Sequence, residues 1–385
     1  MKLLIKNGTV NPVTSPSFMG DVLIEDGKII GLEQNIICEE AQVLDAAGMN
    51  IYPGIIEEHS HIGIHGEKTN QESDNDVNEW SAPVTPECHA LEGIKPFDHG
   101  FLQALNAGVT TFNVYPGSAN PIGGIGITLK NDPTLHFEDK IVLRNSGLKM
   151  AMGENPKKVH SSATKTIMTR MGTAQVIRKA FQDAINYRNK KEKEKDSRME
   201  ILLKVLDGEL TAHVHAHKAD DILTIIRIKE EFGFKMCLEH ATESHLIADF
   251  LAKKDIKLAV GPMFTARYKI EVNNRSLCTP AILEKAGITD FCLITDHPVI
   301  PINNLPIEAS IAVNNGLSED LALRSITINP AINLGLDDRI GSLEIGKDGD
   351  VVICDRELLD PTHRVMYTIV NGKIVYDMEK EGLIL

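Results

Sequence analysis

Two histidines two residues apart, His59 and His61, follow directly on the apolar pair Ile55-Ile56. On a β-strand, residues i and i+2 project from the same face. Both imidazoles then stand together at a strand end, where two neutral ring nitrogens can hold a divalent transition metal. Alone the pair is a weak sign, because a buried histidine is more often a hydrogen-bonded core residue. The same pattern recurs further along. His213-Val214-His215-Ala216-His217 closes an apolar run beginning at Leu210, and Glu239-His240 closes the run 235–238. Asp296 closes the run 291–294, and Glu154 follows the run 147–152, which contains Lys149. Histidines and carboxylates at the end of one apolar run after another form a far stronger signal than any one of them.

The residue types suit one chemistry. A metal held by imidazoles lowers the pKa of its water to about 7. A carboxylate such as Glu154 can bridge two ions about 3.5 to 4 Å apart. An aspartate beside metal and water can take the water's proton and pass it to a leaving group. Asp296 is placed for that role. The expected cofactor is one or two divalent ions, zinc first, with iron, manganese or nickel as the other choices.

Positioning these groups requires parallel strands that end together. The centre of the chain alternates short apolar runs with helical patterns such as 219–231 and 243–253. Strand and helix in alternation over this length mean a parallel sheet covered by helices, and closure into a (β/α)8 barrel is its natural form. Barrel enzymes keep their sites at the C-terminal ends of the strands, where these residues fall. Both chain ends read differently. Asn7-Gly8, Asp26-Gly27 and Asn371-Gly372 are hairpin signals between short apolar stretches. They predict one small β domain assembled from the two termini, with the centre inserted.

The remaining composition narrows the class. The chain has 385 residues and a net charge of −14, so a phosphate backbone is a poor partner and a small-molecule substrate the expected one. The first residues are too short an apolar run for a signal peptide, and no stretch approaches the length of a membrane span. The six cysteines are scattered, with no C-x-x-C pair, and read as free thiols in a reducing compartment. A cytoplasmic location is the expectation. Nothing in the sequence fixes an oligomeric state, although homo-oligomers are common among such enzymes.

Five stretches resemble signature segments of the amidohydrolase superfamily, in the branch of imidazolonepropionase-like and related amidohydrolases. They are Tyr52-Pro53-Gly54-Ile55-Ile56-Glu57-Glu58-His59-Ser60-His61-Ile62-Gly63, Leu105-Asn106-Ala107-Gly108-Val109-Thr110-Thr111, Leu293-Ile294-Thr295-Asp296-His297-Pro298, Ile326-Thr327-Ile328-Asn329-Pro330-Ala331 and Gly341-Ser342-Leu343-Glu344-Ile345-Gly346-Lys347-Asp348-Gly349-Asp350. The resemblance covers essentially the whole chain and is specific to the superfamily, not to one substrate. It implies a distorted TIM (β/α)8 barrel over 53–340, flanked by a small β-sandwich from 1–52 plus 341–385. It also implies metal ligands: His59 and His61 from the first strand, His215 from the fifth, His240 from the sixth and Asp296 from the eighth. For the bridging position relatives use a carboxylated lysine or a glutamate. Lys149 and Glu154 are the two choices here, and the strand-end position favours Glu154.

Around this set, His217 and His297 sit beside the expected ligands as orienting or substrate-contacting groups. Arg170 and Arg267, the latter followed by Tyr268, could hold a substrate carboxylate through a bidentate pair. The loop from Gly63 to about Pro96 has the length of a lid and carries His65, Glu67, Glu72, Asp74, Asp76, Trp80 and His89. Gly117 to Gly126 lacks a phosphate-loop spacing and reads as a tight turn at the pocket mouth. The charge run 190–196 reads as the exposed end of a helix. The function expected is metal-assisted hydrolysis of a C–N bond in an amide, cyclic amide or amidine, with Asp296 as general base and acid. Dipeptidase-like and deaminase chemistry on the same scaffold are the alternatives. A metal-free scaffold protein would have lost ligands at several strand ends, and none is missing.

Overall fold

The computed structural model describes residues 2–66, 75–380 and 382–383. Glu67, Glu72 and Asp74 of the long loop lie outside the described residues.

Strands from both ends of the chain share one sheet. Lys2–Val10, Phe18–Glu25, Lys28–Glu33, Gln42–Asp45 and Asn50–Pro53 join Val351–Cys354, Val365–Val370, Lys373–Asp377 and Gly382–Leu383. The two ends meet where Asn50–Pro53 runs antiparallel to Val351–Cys354, with Ile51 opposite Ile353. Ile5, Ile24, Ile51, Ile353 and Ile369 form its core. Asp26-Gly27 and Asn371-Gly372 turn hairpins, with φ of 47° and 80° in the first and 49° and 73° in the second. Two consecutive left-handed residues are what a type I′ turn demands. Asn7-Gly8 does not turn. Lys2–Val10 is one strand, and its register against Phe18–Glu25 shifts between Ile5 and Gly8. Asn7 takes the left-handed conformation at this bulge, and its N–H donates to Asp21 Oδ1 at 2.9 Å.

The chain leaves this sheet at Gly54. A Cβ there would come within 2.1 Å of Thr110 Oγ1, so only glycine lets the strand pass from one sheet to the next. Ile55–Ser60 then starts the central part. It pairs in parallel with Val109–Val114 in a four-stranded sheet that Ile127–Lys130 and Ile141–Leu143 complete. A six-stranded sheet follows. In it Leu148–Ala151, Ala212–Ala216, Met236–His240, Lys257–Val260 and Cys292–Leu293 are successively parallel, and Ile122–Ile125 lies antiparallel at its edge. The two sheets touch where Ser60 makes a parallel bridge with His297 and His61 N–H donates to His297 O at 2.8 Å. The ladders form two sheets joined at this seam, not an unbroken ring of eight strands.

Strands such as Val109–Val114, Ala212–Ala216 and Met236–His240 are buried along their whole length. Parallel strands covered on both faces require this. The covering helices show the matching stripe. Ala219–Phe232 buries Ile222, Ile225 and Ile226 and ends at Gly233 with φ 77°. Arg170–Arg188 buries Ala174, Ile177, Phe181 and Ala184. The run 190–196 is not helical. It links that helix to Ser197–Leu206, whose first turn Asp196 caps by accepting from Arg198 and Met199 N–H. The helix expected at 243–253 is shorter: a 3-10 turn at Ser244–Leu246 and a helix at Ala248–Leu251, separated by Ile247 in non-helical geometry. The second half of Gly117 to Gly126 is strand, because Gly124 lets the Cys88 backbone approach and Cys88 O accept from Ile125 N–H at 2.8 Å. Among the described residues no helix is long and apolar enough to cross a membrane.

One buried charge cluster ties the two parts together. Lys130, at the end of a central strand, donates to Asp348 Oδ2 at 2.8 Å and to Asp350 Oδ2 at 2.5 Å. Lys28 and Arg339 reach Asp348 as well. Replacing Lys130 by methionine keeps the volume and strips the two buried carboxylates of their central cation. Loss of one partner from a buried pair costs about 3 to 5 kcal/mol. Lys130→Met is expected to lower the melting temperature strongly in calorimetry, and an unchanged midpoint would show that the cluster holds nothing together.

Candidate metal centre

The parallel strands bring their C-terminal ends to one place. His59 and His61 come from the end of Ile55–Ser60 and the residue after it, His215 from Ala212–Ala216, His240 from Met236–His240, and Asp296 from just beyond Cys292–Leu293. Asp296 Oδ1 lies 3.2 Å from His59 Nε2 and 3.3 Å from His61 Nε2. His59, His240 and Asp296 each offer a ligand atom within 4.8 Å of the others, and so do His215, His217 and His240. The two groups adjoin through His240.

The second ring nitrogen of most of these histidines is already committed. His61 Nδ1 donates to Tyr115 O at 2.7 Å, and His240 Nδ1 donates to Gly261 O at 3.0 Å. A carbonyl only accepts, so the proton sits on Nδ1 and the Nε2 lone pair is left for a metal. His217 Nδ1 is 2.7 Å from Thr242 Oγ1. His59 Nδ1 is 2.9 Å from Glu239 Oε1. His215 Nε2 is buried and meets no hydrogen-bond partner among the described residues. Backbone strain marks the same place: His240, Ala241 and Asp296 have φ of 66°, 46° and 52°, a region non-glycine residues enter only when their surroundings force them.

Burial dominates the electrostatics. It holds His215 and His217 well below their ordinary range, helped by neighbouring imidazoles and Lys269, and pulls His240 down to about 4. These rings are neutral at pH 7. Burial works against a charged His59 too, yet Glu239 and Asp296 raise it to about 9. Burial pushes Asp296 up, but His240, His59 and His61 outweigh it and hold the carboxyl well below the usual range. Neutral His215, His217 and His240 beside an ionised Asp296, with His59 once it gives up its proton, make a donor set that fits a divalent transition ion.

The two choices for the bridging position are separated in space. Lys149 is buried on Leu148–Ala151, ion-paired with Glu239, and its Nζ lies 3.5 Å from His59 Nε2. Glu154 is half-buried at the first position of helix Glu154–Ser162, outside both ligand groups. Strand Leu148–Ala151 ends before Gly153, whose φ of 82° turns the chain into the helix. The strand side chain therefore faces the cluster, and the residue beyond the turn does not.

The outer residues divide likewise. His217 stands within the group of His215 and His240. His297 is buried behind Asp296, and its Nδ1 accepts from Ile302 N–H at 3.1 Å. Arg170 is committed to Asp221 at 2.9 Å. Arg267 and Tyr268 are exposed on the loop after Lys257–Val260, and Arg267 Nη2 reaches Arg275 O at 3.5 Å. Trp80 is also exposed, beside Asn78, Ser118 and Asn155 around a separate cavity. Glu57, Glu239 and Glu271 carry parts that the sequence reading left unassigned. Glu57 holds Thr295 N and Oγ1 at 3.0 and 2.5 Å and His59 N at 3.1 Å, locking the first and last site strands together. Its i, i+2, i+4 spacing with His59 and His61 was a visible signal. Glu271 Oε1 lies 3.7 Å from His215 Nε2 and 2.8 Å from Lys269 Nζ. It comes from the 3-10 turn Ile270–Val272, between the site strands, and has no pattern to betray it.

Comparison with known proteins fits this arrangement. Residues 50–375 match the model of the Amidohydrolase family. The chain belongs to that family. An amidohydrolase structure from Thermotoga maritima is 42% identical and superposes with a TM-score of 0.93, covering 97% of this chain and all of that one. The amidohydrolase tasK of Hapsidospora irregularis is 27% identical over 94% of this chain, which spans 40% of that longer protein. A dihydroorotase from Aquifex aeolicus is 23% identical over 98% of this chain and 99% of its own length. The fold is a mixed α/β architecture that matches amidohydrolase structures, which have a TIM barrel with an added β domain, and the enzyme is a hydrolase acting on C–N bonds.

Metal loading should release protons. His59 carries one at pH 7 and must lose it to become a ligand. Calorimetric titration of metal-free protein in buffers of different ionisation enthalpy is expected to show at least one proton released at pH 7, and fewer as pH passes about 9. A release that does not change across that range would exclude His59 as a ligand.

Proposed function

We propose that the chain is a metal-dependent hydrolase of cyclic amides, with its ions held by His59, His61, His215, His217, His240 and Asp296. The observation that carries this reading is the convergence of His59, His240 and Asp296 from three strands to within ligand distance of one another. The closed (β/α)8 barrel over 53–340 and the β-sandwich from 1–52 plus 341–385 belong to the same proposal. It is supported by the seam at Ser60 and His297 and by the sheet shared between the termini.

Lys149 is the bridging residue in this proposal, as the carbamate formed when its amine takes up carbon dioxide and loses a proton. Its nearness to His59 Nε2 supports this over Glu154. A bound divalent ion supplies Lewis-acid polarisation of the carbonyl and makes hydroxide available near neutral pH. The protein's own groups do the rest. Asp296, ionised and within reach of both His59 and His61, takes the proton of the attacking water and delivers it to the leaving nitrogen. Zinc suits the nitrogen-rich set best.

A cyclic amide is favoured over a dipeptide or an aminopurine by the full-length match to a dihydroorotase. Arg267 and Arg275, adjacent and without a carboxylate ion pair among the described residues, are the groups this reading assigns to a carboxylate on that ring. Arg170 is not, since Asp221 already occupies it.

Asp296→Asn removes the proton carrier while keeping the shape. It is expected to lower kcat by 10²-fold or more, the range of general acid–base catalysis, while metal content stays within twofold. Turnover at the wild-type rate would eliminate Asp296 as base. A hydrolysis screen of the zinc-loaded enzyme over dihydropyrimidines, hydantoins, N-acyl amino acids, dipeptides and aminopurines tests the substrate class. Turnover confined to the last three groups would overturn the cyclic-amide assignment.

A further inference from the structure

Below the strand ends, where His213 and Cys237 stand in register with Lys149, lies another group of ligand-type side chains. Glu58, His213 and Cys237 are fully buried, and each offers a ligand atom within 4.8 Å of the others. None of them serves the chemistry proposed at the strand ends. His213 is one step down its strand from His215, and Cys237 one step down from Glu239, so both face inward at a lower level.

The polar atoms here are not satisfied by one another. Among the described residues Glu58 Oε2 meets no hydrogen-bond partner. His213 Nδ1 lies at the long distances of 3.3 Å from Glu58 Oε1 and 3.5 Å from Glu239 Oε1. The only donor to the pair formed by Glu58 and Cys237 that the described residues show is Asn333. Its Nδ2 lies 3.1 Å from Glu58 Oε1 and 3.2 Å from Cys237 Sγ, while its Oδ1 meets no hydrogen-bond partner among the described residues. Buried polar groups left in this state are rare and call for a partner.

We propose that Glu58, His213 and Cys237 form a second metal site, separate from the strand-end centre, for a thiophilic divalent ion such as zinc. One carboxylate, one thiolate and one neutral imidazole balance the charge of a divalent ion, which a dry interior requires. Cysteine, histidine and carboxylate are all established zinc ligands, and Asn333 Oδ1, brought round by turning over its amide, is the fourth. Access is from the opposite end of the barrel. Asn333 lines a cavity of about 460 Å³ with Thr211, Lys235, Met236 and Leu334, at the N-terminal ends of the parallel strands. The site fills without passing through the catalytic centre. It anchors the helix Ile328–Leu334, which carries Asn333, to three strands, which is a structural role.

The thiolate separates this proposal from the catalytic reading, because no cysteine stands among the strand-end ligands. Full-length protein loaded with cobalt(II) is expected to show a sulfur-to-cobalt charge-transfer absorption in the near ultraviolet and to hold one metal more per chain than Cys237→Ser. The band should vanish in Cys237→Ser and persist in Cys292→Ser, whose thiol is buried nearby but is not a member of the group. Glu58→Gln, which preserves shape, should weaken cobalt retention at least tenfold on dialysis. Zinc X-ray absorption of the wild-type protein needs no variant and should show a sulfur scatterer near 2.3 Å. Absence of both the charge-transfer band and the sulfur shell in protein whose strand-end centre is loaded would overturn the site. Loss of metal from the strand-end centre with the sulfur shell intact would count against the catalytic reading alone.

Discussion

Until Lys149 takes up carbon dioxide, Glu239 is a carboxylate with no access to water, held between the Lys149 ammonium and the His59 ring. Burial alone would drive it to protonate. The two cations overcome that and hold it well below its ordinary range. Around this charge the interior is arranged. Lys149 is drawn toward His59, His59 is oriented with Nε2 facing Asp296, and the carboxylate oxygen that faces His59 Nδ1 also faces His213 Nδ1. An unpaired charge at this depth would cost several kcal/mol, so the strands that carry these residues must keep their register. A one-residue slip would turn each of these side chains to the other face.

That constraint explains the architecture better than the ligands do alone. Glu57 joins Thr295 on the last site strand to the backbone of His59 on the first, at the seam where the two central sheets touch. The helices pack outside, and the strands they cover are apolar on the outer side and charged within. The Lys130 cluster repeats the device at the junction with the terminal sheet, where a buried lysine is shared by two aspartates. Buried ionic groups of this kind add little net stability but penalise other arrangements.

The strain at His240, Ala241 and Asp296 belongs to the same economy of space. Left-handed geometry at consecutive and facing strand ends bends the chain sharply at the place where side chains must converge. Neutral imidazoles with one nitrogen fixed by a carbonyl or hydroxyl leave the other free in a known direction. The centre is thus shaped before any ion arrives, which lowers the ordering that binding must impose.

The alternation of strands and helices, the β character of both ends and the ligand types at the strand ends could all be read from period and residue type. These are local properties, set by which side of a strand a residue faces. The place of His59, His61, His215, His240 and Asp296 at strand ends was therefore legible. The partition between Lys149 and Glu154 was not. Five residues apart, both lie near one strand end, and only the left-handed turn at Gly153 decides that the lysine faces the cluster while the glutamate opens a helix outside it. Asn7-Gly8 misled for a related reason: a left-handed asparagine serves a bulge as well as a turn, and pairing with another strand makes the choice. Glu239 and Glu271 reach the centre through contacts between distant segments, which no spacing encodes. The sequence by itself determined the kinds of donor and the face each would take. The tertiary structure alone decided which of them meet, because a buried charge is placed by the partners that neutralise it.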